Sequence, residues 1–529
     1  MESHLWLGDE ACAQAAIDAG LSGVYAYPGT PSTEITEYIQ RSAEARQRGI
    51  HSGWSSNEKT AMEEALGMSY TGKRAMVCMK HVGLNVAADP FINSAITGAH
   101  GGLVVVSADD PSMHSSQNEQ DSRFYGMFAQ IPFLEPSSQQ EAYDIMPHAF
   151  DLSEKYGVPV LVRLTTRMAH SRANVVRHLE SPREQKPLSS PSDLRRYILL
   201  PAIARRNYAQ LLKKQAAFEE ESEASPFNHF EEGTDRKLGI IACGIAVNYI
   251  REGYADHRCP HPMLKISQYP VPRKLLERLV KSCDAVMVFE DGYPMVEQQL
   301  SGLVSGGPVV RGRLDGSLPR QGELDPFVVA KALSIPMPEL EDVSDEVEAR
   351  PPSMCPGCPH VNTFEFVKAA IADVPAARVF SDIGCYTLGA LPPFEAIHSC
   401  VDMGASITMA KGAADAGLRP SIAVIGDSTF THSGITGLLD VVAEKSPVTI
   451  VIGDNMTTGM TGGQASMAFG RLEKIILGIG VEPEHMHIVV PLPTNHKANT
   501  EIMKREMDYQ GPSVIIARRG CLRTTVRQE

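Results

Sequence analysis

Short apolar, β-branched runs recur along the chain, each ending in Gly, Asp, Ser or Asn with a helical stretch between one and the next. Examples are GVYAYPGT (23–30), AMVCMKHVG (75–83), LVVVSADD (103–110), VPVLVRLTT (158–166), KLGIIACG (237–244) and AVMVFEDG (285–292). ARVFSD (377–382), SIAVIGD (421–427), VTIVIGDN (448–455) and SVIIARR (513–519) continue the series. Continuous apolar runs of this length are what strands look like when helices cover both faces of a parallel sheet. Their alternation with helices predicts doubly wound α/β layers. At 529 residues the chain exceeds what one hydrophobic core organises, roughly 250–300 residues, so several such domains are required. Two changes of composition divide it. The stretch 181–235 is polar and reads as a linker carrying exposed helices, its EEESE run (219–223) a solvated face; 335–353 is Pro-rich and acidic. The expected division is therefore 1–180, a helical linker 181–235, a second α/β domain over 236–345 and a third over 350–529.

Charge and motifs narrow the function. Lys and Arg number 49 against 63 Asp and Glu, a net charge of −14. With no clustered basic stretch, no nucleic-acid partner is expected. No apolar run approaches the roughly 18–20 residues of a membrane span, and the acidic start MESHLWLGDEA lacks the basic flank and cleavage site of a signal peptide. Ten cysteines are too few for a disulfide scaffold, so reduced thiols and a cytoplasmic location are expected. P-loop, GxGxxG, HExxH and GxSxG patterns are missing, which removes most of the case for phosphoryl transfer, an orthodox dinucleotide fold, zincin hydrolysis and the usual serine hydrolase.

Two strand ends carry the most information. SIAVI runs into Gly426-Asp427-Ser428, and VTIVI into Gly453-Asp454-Asn455. Ligands of open parallel sheets sit beyond the carboxyl ends of the strands, so Asp427 and Asn455 are expected to face one site. A carboxylate, an amide oxygen and a backbone carbonyl are hard donors suited to Mg²⁺ bridging a diphosphate, and glycine allows close backbone approach. Ordinary turn chemistry also places Asp and Asn after strands. Gly-Asp-Ser followed after 26 residues by Asn resembles the thiamine-diphosphate signature, with Ser428 in place of its third glycine and Asp454 where Asn is usual. That resemblance implies Asp427, Asn455 and the backbone oxygen of Thr457 as Mg²⁺ ligands. A second carboxylate, in a different domain, is then needed to hydrogen-bond the cofactor's aminopyrimidine. Glu58 opens a helix-patterned stretch, a position that macrodipole complementation alone also explains.

YPGTPSTEI (27–35), SSNEKTAMEEA (55–65), MKHVGLNVAADP (79–90) and SADDPSMHSSQNEQDSR (107–123) are followed in order by MCPGCPH (354–360), SDIGCYTLG (381–389), MGASITMAKG (403–412), GDSTFTHSGI (426–435) and DNMTTGMTGGQ (454–464). Together they resemble the 2-oxoacid:acceptor oxidoreductases, over nearly the whole chain, and most closely the alpha-type subunits acting on arylpyruvates such as indolepyruvate. The resemblance implies a pyrimidine-binding thiamine domain over 1–180, a transketolase-C-terminal-like domain over 236–345 and a diphosphate- and Mg²⁺-binding domain over 350–529. It implies Glu58 as the cofactor-activating glutamate, Thr30 beside the substrate carboxylate, and Lys80, His81, Gly83, Leu84 and Asn85 around the reactive ring. His360, Gly384, Gly426, Ser428 and Met460 join Asp427, Asn455 and Thr457 in cofactor binding. His114, Gln117, Asn118 and Arg123 read either as substrate contacts or as a solvated loop.

Cys355-Pro356-Gly357-Cys358 alone fits zinc, redox chemistry or nothing. Cys385 follows ARVFSDIG and Cys521 follows VIIARRG, so one parallel sheet would bring all four thiols to its ligand edge. Four thiolates suit a [4Fe–4S] cluster, as the resemblance also implies; structural zinc and free thiols are the alternatives. Cys12, Cys78, Cys243, Cys259, Cys283 and Cys400 read as small core residues. The resembled subunits continue into a ferredoxin-like tail, whereas this sequence ends at Glu529. The expectation is a homodimer with a smaller beta-type partner subunit and an electron acceptor, converting a 2-oxoacid and coenzyme A to an acyl-CoA. A non-oxidative thiamine decarboxylase or carboligase is the alternative.

Overall fold

A computed structural model of the protein describes residues 2–178, 182–301, 309–337, 344, 346–348 and 352–525. Residue 181, where the polar linker is expected to begin, and 338–343, 345 and 349–351 of the Pro-rich stretch lie outside the described residues. The chain forms two compact units, Met1–Glu341 and Asp342–Glu529.

The first unit is built on a seven-stranded sheet. Leu103–Asp109 is central, between Ala75–Lys80 and Val160–Thr165. Gly23–Ala26 and His51–Trp54 extend one side, Phe133–Leu134 the other, and Gln268–Tyr269 closes it antiparallel. The inner strands are buried along their whole length, as continuous apolar runs demand. Alternate residues feed opposite faces. Met76, Cys78, Val104 and Val106 pack with the helices Gly8–Asp18 and Gln139–Tyr156, while Val77, Met79, Leu103 and Val105 pack with Glu58–Tyr70 and Ala88–Thr97. A second sheet in this unit centres on Leu238–Cys243, between Met263–Ile266 and Ala285–Phe289. Between the two sheets in sequence runs the helix Pro201–Glu223, whose buried residues Asn207, Leu211, Phe218 and Ser222 fall on one stripe. Its EEESE end is therefore not simply a solvated face: Ser222 is enclosed, and Glu221 accepts from Tyr156.

Arg123 corrects both readings offered for its loop. It is 0% exposed. Its guanidinium donates to Asp121 at 2.6 Å and Glu290 at 3.0 Å, and Arg163 beside it donates to Asp109 at 2.6 Å and Glu135 at 2.8 Å. The pair of arginines ties the first sheet to the second, and the two guanidinium charges hold Asp121 down at about 2 against its burial.

The second unit holds one parallel sheet of six strands. Its order is Ser399–Cys400, Arg378–Ser381, Ser421–Gly426, Val448–Asp454, Ser513–Arg518, Met486–Val489. The chain leaves Arg378–Ser381 toward one edge and returns to build the other, so the winding reverses between that strand and Ser421–Gly426. Crevices at such reversals are where doubly wound sheets bind ligands. Cys12, Cys78 and Cys243 are buried and Cys259 and Cys283 partly so, but Cys400 is exposed on the edge strand, which no outer strand covers among the described residues; it is not a core residue.

Candidate active site

In the second unit, Ser421–Gly426 and Val448–Asp454 pair in parallel with Gly426 opposite Gly453, so the residues that follow them emerge side by side. Asp427 opens a short helix and is 2% exposed; its Oδ2 has no hydrogen-bond partner among the described residues. Burial and then the Asp454 charge push its carboxyl up to about 7, against a hydrogen bond from Ser466. Asp454, one of the two departures from the thiamine signature, is paired from the next strand. The register places Arg518 opposite it, and the Arg518 Nε donates to Asp454 Oδ2 at 2.6 Å. Asn455 is buried beside them, its Oδ1 accepting from the Thr457 N–H at 3.3 Å. The Thr457 hydroxyl donates to the Gln464 carbonyl at 3.0 Å, and Ser428 Oγ lies 2.9 Å from Thr458 Oγ1.

Glycine is required at two of these positions by contact. A Cβ on Gly453 would stand 2.9 Å from the His360 ring, and one on Gly426 would stand 2.6 Å from the Tyr386 ring. His360 lies in the first turn of the helix Pro359–Ile371, with its Nε2 3.4 Å from Asn455 Nδ2. Burial, then the Arg519 charge, lowers it to about 4, which keeps the ring neutral near pH 7. Asp382, which sequence reading passed over, ends the neighbouring strand in the same way as Asp427. Its carboxylate accepts from the Tyr386 hydroxyl and from Ser406 Oγ at 2.5 Å, fixing the loop that carries Gly384 and Cys385. The strand-terminal pattern SD-IG was the signal that could have found it.

A cavity of about 580 Å³ opens at this edge of the sheet. Cys355, Cys358, Cys385 and Cys521 all line it, together with His360, Asn455 and Met460. Cys521 is tied to the strand-end site, its N–H donating to the Asn455 carbonyl at 3.1 Å. Burial, then the charges of Cys358, Cys521 and Cys355, push the Cys385 thiol up to about 12. Burial raises the Cys358 thiol as well, with the Cys355 and Cys521 charges adding to it against backbone hydrogen bonds.

In the first unit, Glu58 begins the helix Glu58–Tyr70, capped by Asn57, whose Oδ1 accepts from the Thr60 N–H at 2.9 Å. Glu58 is buried against Gly83, where a Cβ would stand 2.6 Å from Glu58 Oε1. Gly83 and His81 lie on the short helix His81–Val86, which follows the strand ending at Lys80. The buried His81 has its Nε2 3.3 Å from the Asn118 carbonyl, and its Nδ1 lacks a partner among the described residues. Lys80 donates to the Ser115 carbonyl at 2.6 Å; burial lowers it to about 8, against the Asp110 charge. Thr30 follows Gly29, which packs on Lys80, so the YPGT turn, Lys80 and His81 share one end of the sheet. Asn85 is exposed and accepts from the Tyr125 hydroxyl at 2.6 Å. Of the loop residues considered with them, His114 pairs with Glu323 and Gln117 is exposed.

Known proteins share this architecture. Residues 14–220 match the family model for the thiamine-diphosphate-binding region of pyruvate flavodoxin/ferredoxin oxidoreductase, and residues 382–517 match that for the C-terminal thiamine-pyrophosphate-binding domain. A solved 2-oxoglutarate:ferredoxin oxidoreductase from Magnetococcus marinus superposes with a TM-score of 0.52 at 17% identity, over 63% of this chain and 65% of its own. Fold and strand-end site thus define a thiamine-diphosphate-dependent 2-oxoacid oxidoreductase subunit. The indolepyruvate oxidoreductase subunit IorA of Archaeoglobus fulgidus is 39% identical over 98% of this chain and 86% of its own length. That of Pyrococcus abyssi is 39% identical over the same shares, and that of Methanothermobacter thermautotrophicus 38%. The chain belongs to the IorA family.

Proposed function

We propose that this subunit oxidatively decarboxylates an arylpyruvate such as indolepyruvate to the corresponding acyl-CoA, the substrate class named for its relatives. The orphaned, buried Asp427 Oδ2 beside Asn455 carries the reading. With Thr457 it would hold Mg²⁺ and through it the diphosphate, while Gly426 and Gly453 leave the room a Cβ would fill. His360, Gly384, Ser428 and Met460 would border the bound cofactor. When bound, thiamine diphosphate supplies the nucleophilic carbon and the electron sink for loss of CO₂. Glu58 would hold a proton at the cofactor's aminopyrimidine, a role that burial of its carboxyl supports. Thr30 and His81 would position the substrate carboxylate and carbonyl, with Gly83 and Asn85 beside them.

Per turnover, 2-oxoacid and the coenzyme A thiol give the acyl thioester, CO₂, a proton and two electrons. Cys355, Cys358, Cys385 and Cys521 would hold a [4Fe–4S] cluster, which supplies one-electron acceptor chemistry when bound. A homodimer, a smaller beta-type partner and an electron acceptor complete the proposed assembly. The proposed domains are 1–180, the linker 181–235, 236–345 and 350–529. No described helix is long and apolar enough to cross a membrane; a cytoplasmic location is proposed from the reduced thiols. Cys521→Ser tests the reading. It should stop thioester formation while CO₂ release continues and aldehyde accumulates. Undiminished thioester formation in that variant would overturn the electron path.

A further inference from the structure

A second group of ligating side chains lies in the first unit, on three elements that the thiamine chemistry does not use. Asp9 sits in the first turn of Gly8–Asp18, Glu34 in the first turn of Thr33–Arg41, and His170 ends Thr166–His170. One ligand atom from each lies within 4.8 Å of the others, and His170 Nε2 is 3.4 Å from Glu34 Oε2. Donors around a single ion at about 2.0–2.2 Å stand at most about 4.4 Å apart, so only a small closing motion is needed. Asp9 is 0% exposed, and neither of its carboxylate oxygens has a hydrogen-bond partner among the described residues. The adjacent Glu10 is already occupied: it accepts from the Leu7 N–H at 2.9 Å and from Arg172 at 3.0 Å. Glu34 and His170 are about one-third exposed, which leaves a way in from solvent above the enclosed Asp9.

We propose that Asp9, Glu34 and His170 bind a divalent transition-metal ion of the Mn²⁺ and Zn²⁺ class. Two carboxylates match a dication in charge, and an imidazole nitrogen favours a transition metal over Mg²⁺ or Ca²⁺, which prefer oxygen alone. A buried carboxylate with no donor is otherwise costly to keep ionised. Burial, followed by the Glu34 and Glu10 charges, already holds the Asp9 carboxyl well above its ordinary range. A bound dication reverses the sign of that balance.

The test is a Mn²⁺ titration of the full chain with its thiamine site already loaded with Mg²⁺ and thiamine diphosphate, reading free Mn²⁺ by EPR. The wild type should bind one equivalent more than Asp9→Asn, and His170→Ala should weaken that equivalent at least tenfold. Mn²⁺ should also raise the melting temperature of the wild type but not of Asp9→Asn. Metal-free Asp9→Asn should melt no lower than metal-free wild type, because it loses an unpartnered buried carboxyl. Glu34→Gln gives a second partial loss on a residue about one-third exposed. Identical Mn²⁺ isotherms in wild type and Asp9→Asn, or absence of the extra equivalent from the wild type, would overturn the site and leave Asp9 a buried carboxyl without a ligand.

Discussion

Replacing Asp427 with asparagine should make the metal-free protein more stable while destroying its capacity to hold the cofactor. The carboxyl moves from an ordinary 3.8 to about 7 in the fold, chiefly through burial and then through Asp454. At about 1.4 kcal/mol per unit, roughly three units amount to about 4 kcal/mol at most. The sign follows from proton uptake. The folded carboxyl keeps its proton where the unfolded one has lost it, so the metal-free wild type loses stability as pH rises from about 4 to about 7, and the penalty is constant above that. Asparagine never ionises and escapes this penalty. Metal-free Asp427→Asn should therefore exceed wild type by up to about 4 kcal/mol at pH 8, with less than about half that gap at pH 5. In a unit of this size each kcal/mol moves the melting temperature by about 2–4 °C, so calorimetry at pH 8 should show a rise on the order of 10 °C. Mg²⁺ with thiamine diphosphate at a hundred times its Kd should stabilise only the wild type, by about 2.7 kcal/mol. A variant less stable than wild type at pH 8, or a gap that does not change with pH, would show that Asp427 carries no such ionisation penalty.

Glu58→Gln should retain thiamine diphosphate but slow hydrogen–deuterium exchange at the cofactor's C2 by about 10²–10⁴-fold, measured by proton NMR of the quenched cofactor. Gly453→Ala should force the His360 ring aside and cost about 1–3 kcal/mol in a denaturant melt, with weakened cofactor retention. Arg123→Ala should cost about 3–5 kcal/mol, because Glu290 would remain buried without its guanidinium partner and Asp121 would keep only Arg163; a change below about 1 kcal/mol would show that the network rearranges.

The parallel sheets were legible because their strands are buried on both faces and carry uninterrupted apolar runs. SIAVIGD and VTIVIGD end in the same way, and the sheet sets them side by side with Gly426 opposite Gly453. The four thiols also meet in one cavity: Cys385 and Cys521 follow strands of that sheet, and Cys355 and Cys358 lead into the helix Pro359–Ile371. What the sequence hid depends on register and strand order. Asp454 looked like a departure from the thiamine signature, yet its partner Arg518 comes from a strand 64 residues away in the chain, met only by lateral pairing. Arg123 sits in a polar stretch and reads as exposed, but the second sheet of its unit brings Glu290 to it. Cys400 follows no pattern that separates an edge strand from an inner one. Asp9, Glu34 and His170 belong to three helices with ordinary first-turn or last-turn residues, and only their packing reveals a common point.

The proposed electron path runs through Cys355, Cys358, Cys385 and Cys521, which would take up the electrons released when the 2-oxoacid is decarboxylated. Iron and acid-labile sulfide analysis of protein purified without oxygen, with the EPR spectrum after addition of the 2-oxoacid, tests it most directly. About four iron and four sulfide per chain are expected, with a reduced-cluster signal that appears with substrate and is lost in Cys521→Ser. Zinc in place of iron, or acyl-CoA formation by protein containing no iron, would contradict it.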